Sequence, residues 1–85
     1  MGKSIRLSKH AAENAVHRGT TESEIEQAIN SAAWTSAQAG RSECRCDFRF
    51  QSEWNGSFYE TKQVRPIFVD EEQEIVVITV YVYYF

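Results

Sequence analysis

Proline occurs once, methionine once, cysteine twice and glycine four times among 85 residues. Collagen-like and low-complexity architectures are thereby excluded. With 42% hydrophobic and 25% charged residues, the chain has the composition of an ordinary globular domain. No apolar run approaches the roughly 20 residues that a membrane-crossing helix requires. The longest, Ile75 to Phe85, is too short and is interrupted by Thr79. The opening Met1-Gly2-Lys3-Ser4-Ile5-Arg6 passes straight into polar sequence without the apolar core of a secretory signal. The expected location is therefore cytoplasmic, with no membrane partner. A glycine-rich phosphate loop, a G-x-S-x-G elbow and an H-E-x-x-H helix are all missing, which removes the standard nucleotide-binding and hydrolase signatures. Cys44 and Cys46 lack the second cysteine pair or nearby histidine that zinc would need, so neither metal nor cofactor is expected. Two apart in a strand, their Cα atoms lie near the outer limit for a disulfide, and free, buried thiols are expected.

What is present reads as one domain, 1–85, of α+β class. A short alternation, Ile5-Arg6-Leu7, comes first. Ser8 is an N-cap for a helix from Lys9 to Arg18, which Gly19 ends. Thr21 and Glu24 form a T-x-x-E capping box that opens a second helix through about Ala32, with Ile25, Ala28, Ile29 and Ala32 as one apolar stripe. Beyond Trp34 the period changes to two: Cys44, Cys46, Phe48 and Phe50 alternate with Arg45, Asp47 and Arg49. Asn55-Gly56 suits a type I′ hairpin turn before a second extended run, Phe58 to Val69. Pro66 places an edge or a bulge in that run. The last strand puts Val76, Ile78, Val80 and Val82 on one face and Val77, Thr79, Tyr81 and Tyr83 on the other. The expected architecture is an N-terminal helical pair packed on an antiparallel sheet of three or four strands, its second face half open.

Charge is unevenly spread. Seven of the twelve acidic residues lie in two segments, Glu22–Glu26 and Asp70–Glu74, which contain no lysine or arginine. The remainder is basic, with Arg41, Arg45, Arg49, Lys62 and Arg65 on the sheet segment among Phe48, Trp54, Tyr59, Tyr81 and Tyr83. Cations beside aromatic rings on a sheet can hold the phosphates and bases of single-stranded RNA. An exposed face laced by pairs such as Arg45–Asp47 or Arg49–Glu60 is the plainer alternative, and a net charge of −3 favours it. On the first helix, His10, Glu13, Asn14 and His17 share a polar side opposite Ala12, Ala15 and Val16. An imidazole there could act as a general base or bind phosphate.

Ser8-Lys9-His10-Ala11, Arg18-Gly19 and Ile75-Val76-Val77-Ile78-Thr79-Val80-Tyr81 resemble a bacterial and phage family of small domains of unknown function. That family has a His-Ala helix, an Arg-Gly helix end, an acidic second helix and a final V-V-T-V-Y strand. More remotely the chain is similar to RelE- and BrnT-type toxins, small α+β ribonucleases held in check by an antitoxin protein. By this resemblance His10 and Arg18 take the family's polar helix positions, and Thr79 and Tyr81 those of its last strand. Asn14 stands where arginine is frequent, and His17 where an acid is usual.

Two functions follow as expectations. In the first, a metal-independent RNA-cleaving or RNA-binding domain uses His10 as general base or acid, with Lys62 and Arg65 stabilising the phosphorane. Arg18 positions the backbone, Tyr81 stacks or donates a proton, and His17, Arg45, Arg49 and Thr79 contact RNA. On a regular strand Lys62 and Arg65 face opposite ways, so both can serve one site only through a bulge near Pro66. In the second, the aromatic last strand and the edge near Pro66 bind a protein partner or a second copy as a homodimer.

Overall fold

The computed structural model describes residues 3–85; Met1 and Gly2, the start of the polar N-terminal segment, lie outside it. Strand β1 (Ser4–Leu7) leads into helix α1 (Lys9–Arg18), whose cap is formed as the sequence dictates. Ser8 Oγ accepts from the Ala11 N–H, and Gly19 closes the helix at φ 81°, its N–H directed at the Ala15 and Val16 carbonyls. Helix α2 (Glu22–Ser31) starts on Thr21, whose Oγ1 accepts from the Glu24 N–H. The return half of the capping box is not made, because the Glu24 carboxylate is taken by Thr20 Oγ1 and by Lys62.

The remaining elements are β2 (Thr35–Ser36), β3 (Ser42–Glu43), β4 (Cys46–Trp54), β5 (Ser57–Asp70) and β6 (Glu74–Tyr84). Together with β1 they make one six-stranded sheet, rather than the three or four strands expected. The additions are β1, which pairs parallel to β6, and two strands of two residues each, too short to show a period. Asn55 and Gly56 both have positive φ, 52° and 85°, as a type I′ turn demands.

β5 is the central strand. One side pairs with β6 from Lys62 to Asp70; the other pairs with β4 up to Val64 and with β3 from Ile67. Pro66 is therefore not on an edge. In the ladder with β6 it is a non-hydrogen-bonded position, since Val80 turns its carbonyl outward to Arg18. The missing N–H thus points at the gap between β4 and β3, where no ladder bond is lost.

The ladder slips beside this point: Ile67 pairs with Thr79 but Phe68 with Val77, which leaves Ile78 as an extra residue on β6. The bulge reassigns the faces of the last strand. Val77 joins Ile75, Val80 and Val82 toward the helices, while Val76 shares the other face with Thr79, Tyr81 and Tyr83. The core lies on the covered face, with Ala11 and Ala15 of α1 and Ile25, Ala28 and Ile29 of α2 against Val64, Phe68, Val77 and Val80. Each buried valine or isoleucine contributes about 1.5–3 kcal/mol. Helix α1 is rotated from the expected orientation: Ala11 and Ala15 are buried, whereas Val16 is 78% exposed.

The rotation follows from polar bonds to β6, whose outer edge is unpaired after Val77. The Ser8 N–H donates to the Val77 carbonyl, Ser8 Oγ to that of Ile78, and Arg18 Nη1 to that of Val80. Both cysteines are free. Cys44 is buried with its thiol donating to the Ala28 carbonyl at 3.4 Å, and burial first, then Cys46 and Glu43, pushes it up to about 11. Among the described residues no helix is long and apolar enough to cross a membrane.

Candidate functional site

The uncovered face of the sheet meets the rim of α1 along a line of residues one helical turn apart, His10, Asn14 and Arg18. Asn14 Nδ2 lies 3.0 Å from His10 Nε2 and donates to Thr79 Oγ1 at 2.8 Å. Arg18 is held by its 3.0 Å bond to the Val80 carbonyl, and its guanidinium carbon sits 4.8 Å from the centre of the Tyr81 ring. From β5, Arg65 reaches the same ring at 5.4 Å. Cations over an aromatic face are worth about 0.5–1 kcal/mol each at such partly exposed positions.

Arg65 is fully engaged. Its Nε and Nη2 donate to the two Glu43 oxygens at 2.8 and 2.7 Å, and its Nη1 donates to Tyr83 Oη at 3.1 Å. The fork holds the Glu43 carboxyl below the ordinary carboxylate range through hydrogen bonding first, against the opposing effect of its burial. The Arg65 guanidinium is raised by the same bonds, Glu43 first and then Tyr83. Arg65, Glu43 and Tyr81 line a cleft of about 570 Å³ together with Arg41, Ile67 and Thr79, and Arg18 reaches it only through the Tyr81 ring. Arg18 and Arg41 form none of the ion pairs found among the described residues.

Arg18, Arg65, Thr79 and Tyr81 thus converge, and Asn14 links His10 to them. Lys62 does not join them. The β5–β6 ladder is regular from Lys62 to Ile67 and the bulge comes only after it, so Lys62 points to the helices while Arg65 points away. Lys62 is 7% exposed, pairs with Glu24 at 2.8 Å, donates to the Gly19 carbonyl at 3.0 Å and lies over the Phe50 ring at 5.5 Å. It is a structural cation.

His17 is exposed on α1, and Arg45 and Arg49 are exposed on the β3–β4 side of the sheet. None of the three lines the cleft; Arg49 borders a separate shallow depression with Asp47, Gln51 and Glu60. The pairs Arg45–Asp47 and Arg49–Glu60 are not among the ion pairs of the described residues, and Asp47 instead accepts from Gln63. Trp54 and Tyr59 are not platforms on the open face. With Phe50 they surround Tyr84 at ring distances of 5.0, 5.8 and 5.1 Å respectively, and Tyr84 Oη donates to the Arg18 carbonyl. Burial, and then Glu24, raises the Tyr84 phenol.

Sequence reasoning named Arg41 and Tyr83 only within the set of cations and rings on the sheet and Asn14 only within the polar side of the first helix, and gave Glu43 no site role. The alternation Glu43–Arg45–Asp47 opposite Arg65 carried a signal for Glu43, but its partner depends on a register no sequence period sets. No protein-family model matches the chain, and searches of curated proteins and of solved structures return no match either.

Proposed function

We propose that the chain binds single-stranded RNA on the open face of its sheet, in the cytoplasm, and cleaves it without a metal ion, as the toxin-type ribonucleases it resembles do. The observation that carries this reading is the convergence of Arg18 and Arg65 on Tyr81, a ring that lines the cleft, with His10 tied through Asn14 to Thr79 on the cleft wall. Arg65, already matched by Glu43, orients Tyr81 and Tyr83; Arg18 and Arg41 are the cations for phosphate. In the reaction His10 takes the proton of a ribose 2′-hydroxyl, whose oxygen attacks the adjacent phosphorus. Arg18 stabilises the added negative charge, and the Tyr81 hydroxyl protonates the departing 5′-oxygen. The products are a 2′,3′-cyclic phosphate and a 5′-hydroxyl end. An antitoxin-like protein partner would act by covering this cleft.

A labelled single-stranded RNA incubated with the protein in EDTA tests the reading. Cleavage should fall by roughly 10²–10⁴-fold in His10→Ala. Arg18→Ala should weaken binding and flatten its dependence on salt. RNA that stays both intact and unbound at low salt contradicts the proposal. A non-catalytic interaction module is the second reading, favoured by Phe58 and Phe85, which are 62% and 59% exposed away from the cleft. Sedimentation across concentration discriminates: a homodimer broken by Phe58→Ser or Phe85→Ser supports it, and an invariant monomer counts against it.

A further inference from the structure

We propose that Asn14 is a positioning residue that fixes the tautomer of His10, keeping the neutral imidazole protonated on Nδ1 and bare on Nε2. The use of this arrangement rests on the RNA reading above, whereas its geometry does not. Asn14 Nδ2 carries two hydrogens and has two neighbours, His10 Nε2 at 3.0 Å and Thr79 Oγ1 at 2.8 Å. Donation to Nε2 requires a lone pair there, which puts the imidazole proton on Nδ1. Free histidine in water prefers the opposite tautomer, so the amide reverses the ordinary preference. Thr79, accepting the second hydrogen, keeps its own hydroxyl proton to donate into the cleft that it lines.

The same three groups have a second consistent arrangement. A proton on Nε2 removes the lone pair, and the Asn14 amide then turns over so that Oδ1 accepts from Nε2–H and from the Thr79 hydroxyl. Nε2 has one lone pair, so the Asn14 N–H must release it before a 2′-hydroxyl can pass its proton there; with the amide turned over, Oδ1 then accepts from the Nε2–H of the imidazolium that forms. Anchoring to β6 matters, because an asparagine held only by its own helix would not link His10 to the cleft. On α1 the relay has Lys9, Glu13, His17 and Arg18 as sequence neighbours, and Thr79 shares its cleft with Tyr81, Arg41, Arg65 and Glu43.

Imidazole ¹⁵N NMR of the full chain tests this, with His17→Gln leaving one histidine to observe. At about pH 8.5, above the ordinary imidazole range, His10 should show a protonated Nδ1 and a bare Nε2. Asn14→Ala should shift the tautomer ratio toward Nε2–H by roughly two- to tenfold, the worth of one hydrogen bond. Asn14→Asp, which keeps the shape but can only accept, should give Nε2–H outright, and it decides the matter should Ala loosen α1. Nε2–H in the unsubstituted residue, or one ratio in all three proteins, overturns the proposal, even where RNA is cleaved. The expected shifts without any RNA binding uphold it and overturn the RNA reading alone.

Discussion

Lys62 and Arg65 stand three residues apart on one strand and live in different molecules, physically speaking. Lys62 lies on the covered face, where its charge is matched by Glu24, its ammonium bonded to the Gly19 carbonyl, and its surroundings closed by Phe50 and Tyr84. Arg65 lies on the open face, where its charge is equally matched by Glu43, but the ring it orients, Tyr81, faces a cleft with further cations around it. Water makes the difference. A buried pair holds two helices and a sheet in register, whereas a pair at a cleft wall presents its neighbours to a ligand.

Substitutions on the two faces should therefore separate stability from binding. The largest loss is expected for Lys62→Ala, which leaves Glu24 facing a nearly buried site without its cation and should cost about 3–5 kcal/mol in urea unfolding. The companion Glu24→Gln should recover part of it. An unchanged midpoint would mean that the covered face does not depend on the pair. Gly19→Ala comes next. Its φ of 81° costs a side chain about 1–2 kcal/mol. The added Cβ would also sit 2.5 Å from Tyr84 Oη and 2.7 Å from the Trp54 ring, so the aromatic cluster must shift as well. A near-ultraviolet circular dichroism change should accompany the lower melting temperature.

Arg65→Ala should cost less, about 1–3 kcal/mol, because the site is partly open to solvent. It also changes the response to acid. Folding lowers Glu43 from its ordinary value of 4.5, so its contribution is complete above that value and disappears as pH falls through the lower folded one. Acid unfolding curves of the parent should show this loss, and those of Arg65→Ala should lack it. Arg49→Ala is the smallest expected effect, within about 0.5 kcal/mol of the parent in stability. Because Arg49 borders the separate depression, RNA binding should also change little; a loss as large as that of Arg18→Ala would extend the site beyond the cleft.

Much of the covered face was readable from the chain. Ser8, Gly19 and Thr21 place both helices through local capping, and Ile25, Ala28 and Ile29 mark the buried stripe without reference to anything distant. The site was legible only as separate residues. Arg18, Arg65 and Tyr81 are visible as a cation, a cation and a ring, yet their meeting depends on the pairing of Arg65 with Tyr81 and on the placement of α1 along the β6 edge. The bulge at Ile78 has no signature on its own strand, where β-branched Val77 and Thr79 flank it, and only Pro66 on the neighbouring strand pointed to a bulge nearby; it moves Val77 to the face opposite that expected from strict alternation. Asn14 reads as a departure from a family pattern until Thr79 is seen beside it.

The central claim is that the open face is the face that works. Titration of the ¹⁵N-labelled protein with a short single-stranded RNA at low salt, followed by backbone amide shifts, tests it most directly. Shifts concentrated at Arg18, Arg41, Thr79, Tyr81 and Tyr83, fading as salt is raised, are the predicted result. Shifts confined to α2 and the Lys62 end of β5, or none at RNA excess, would contradict it.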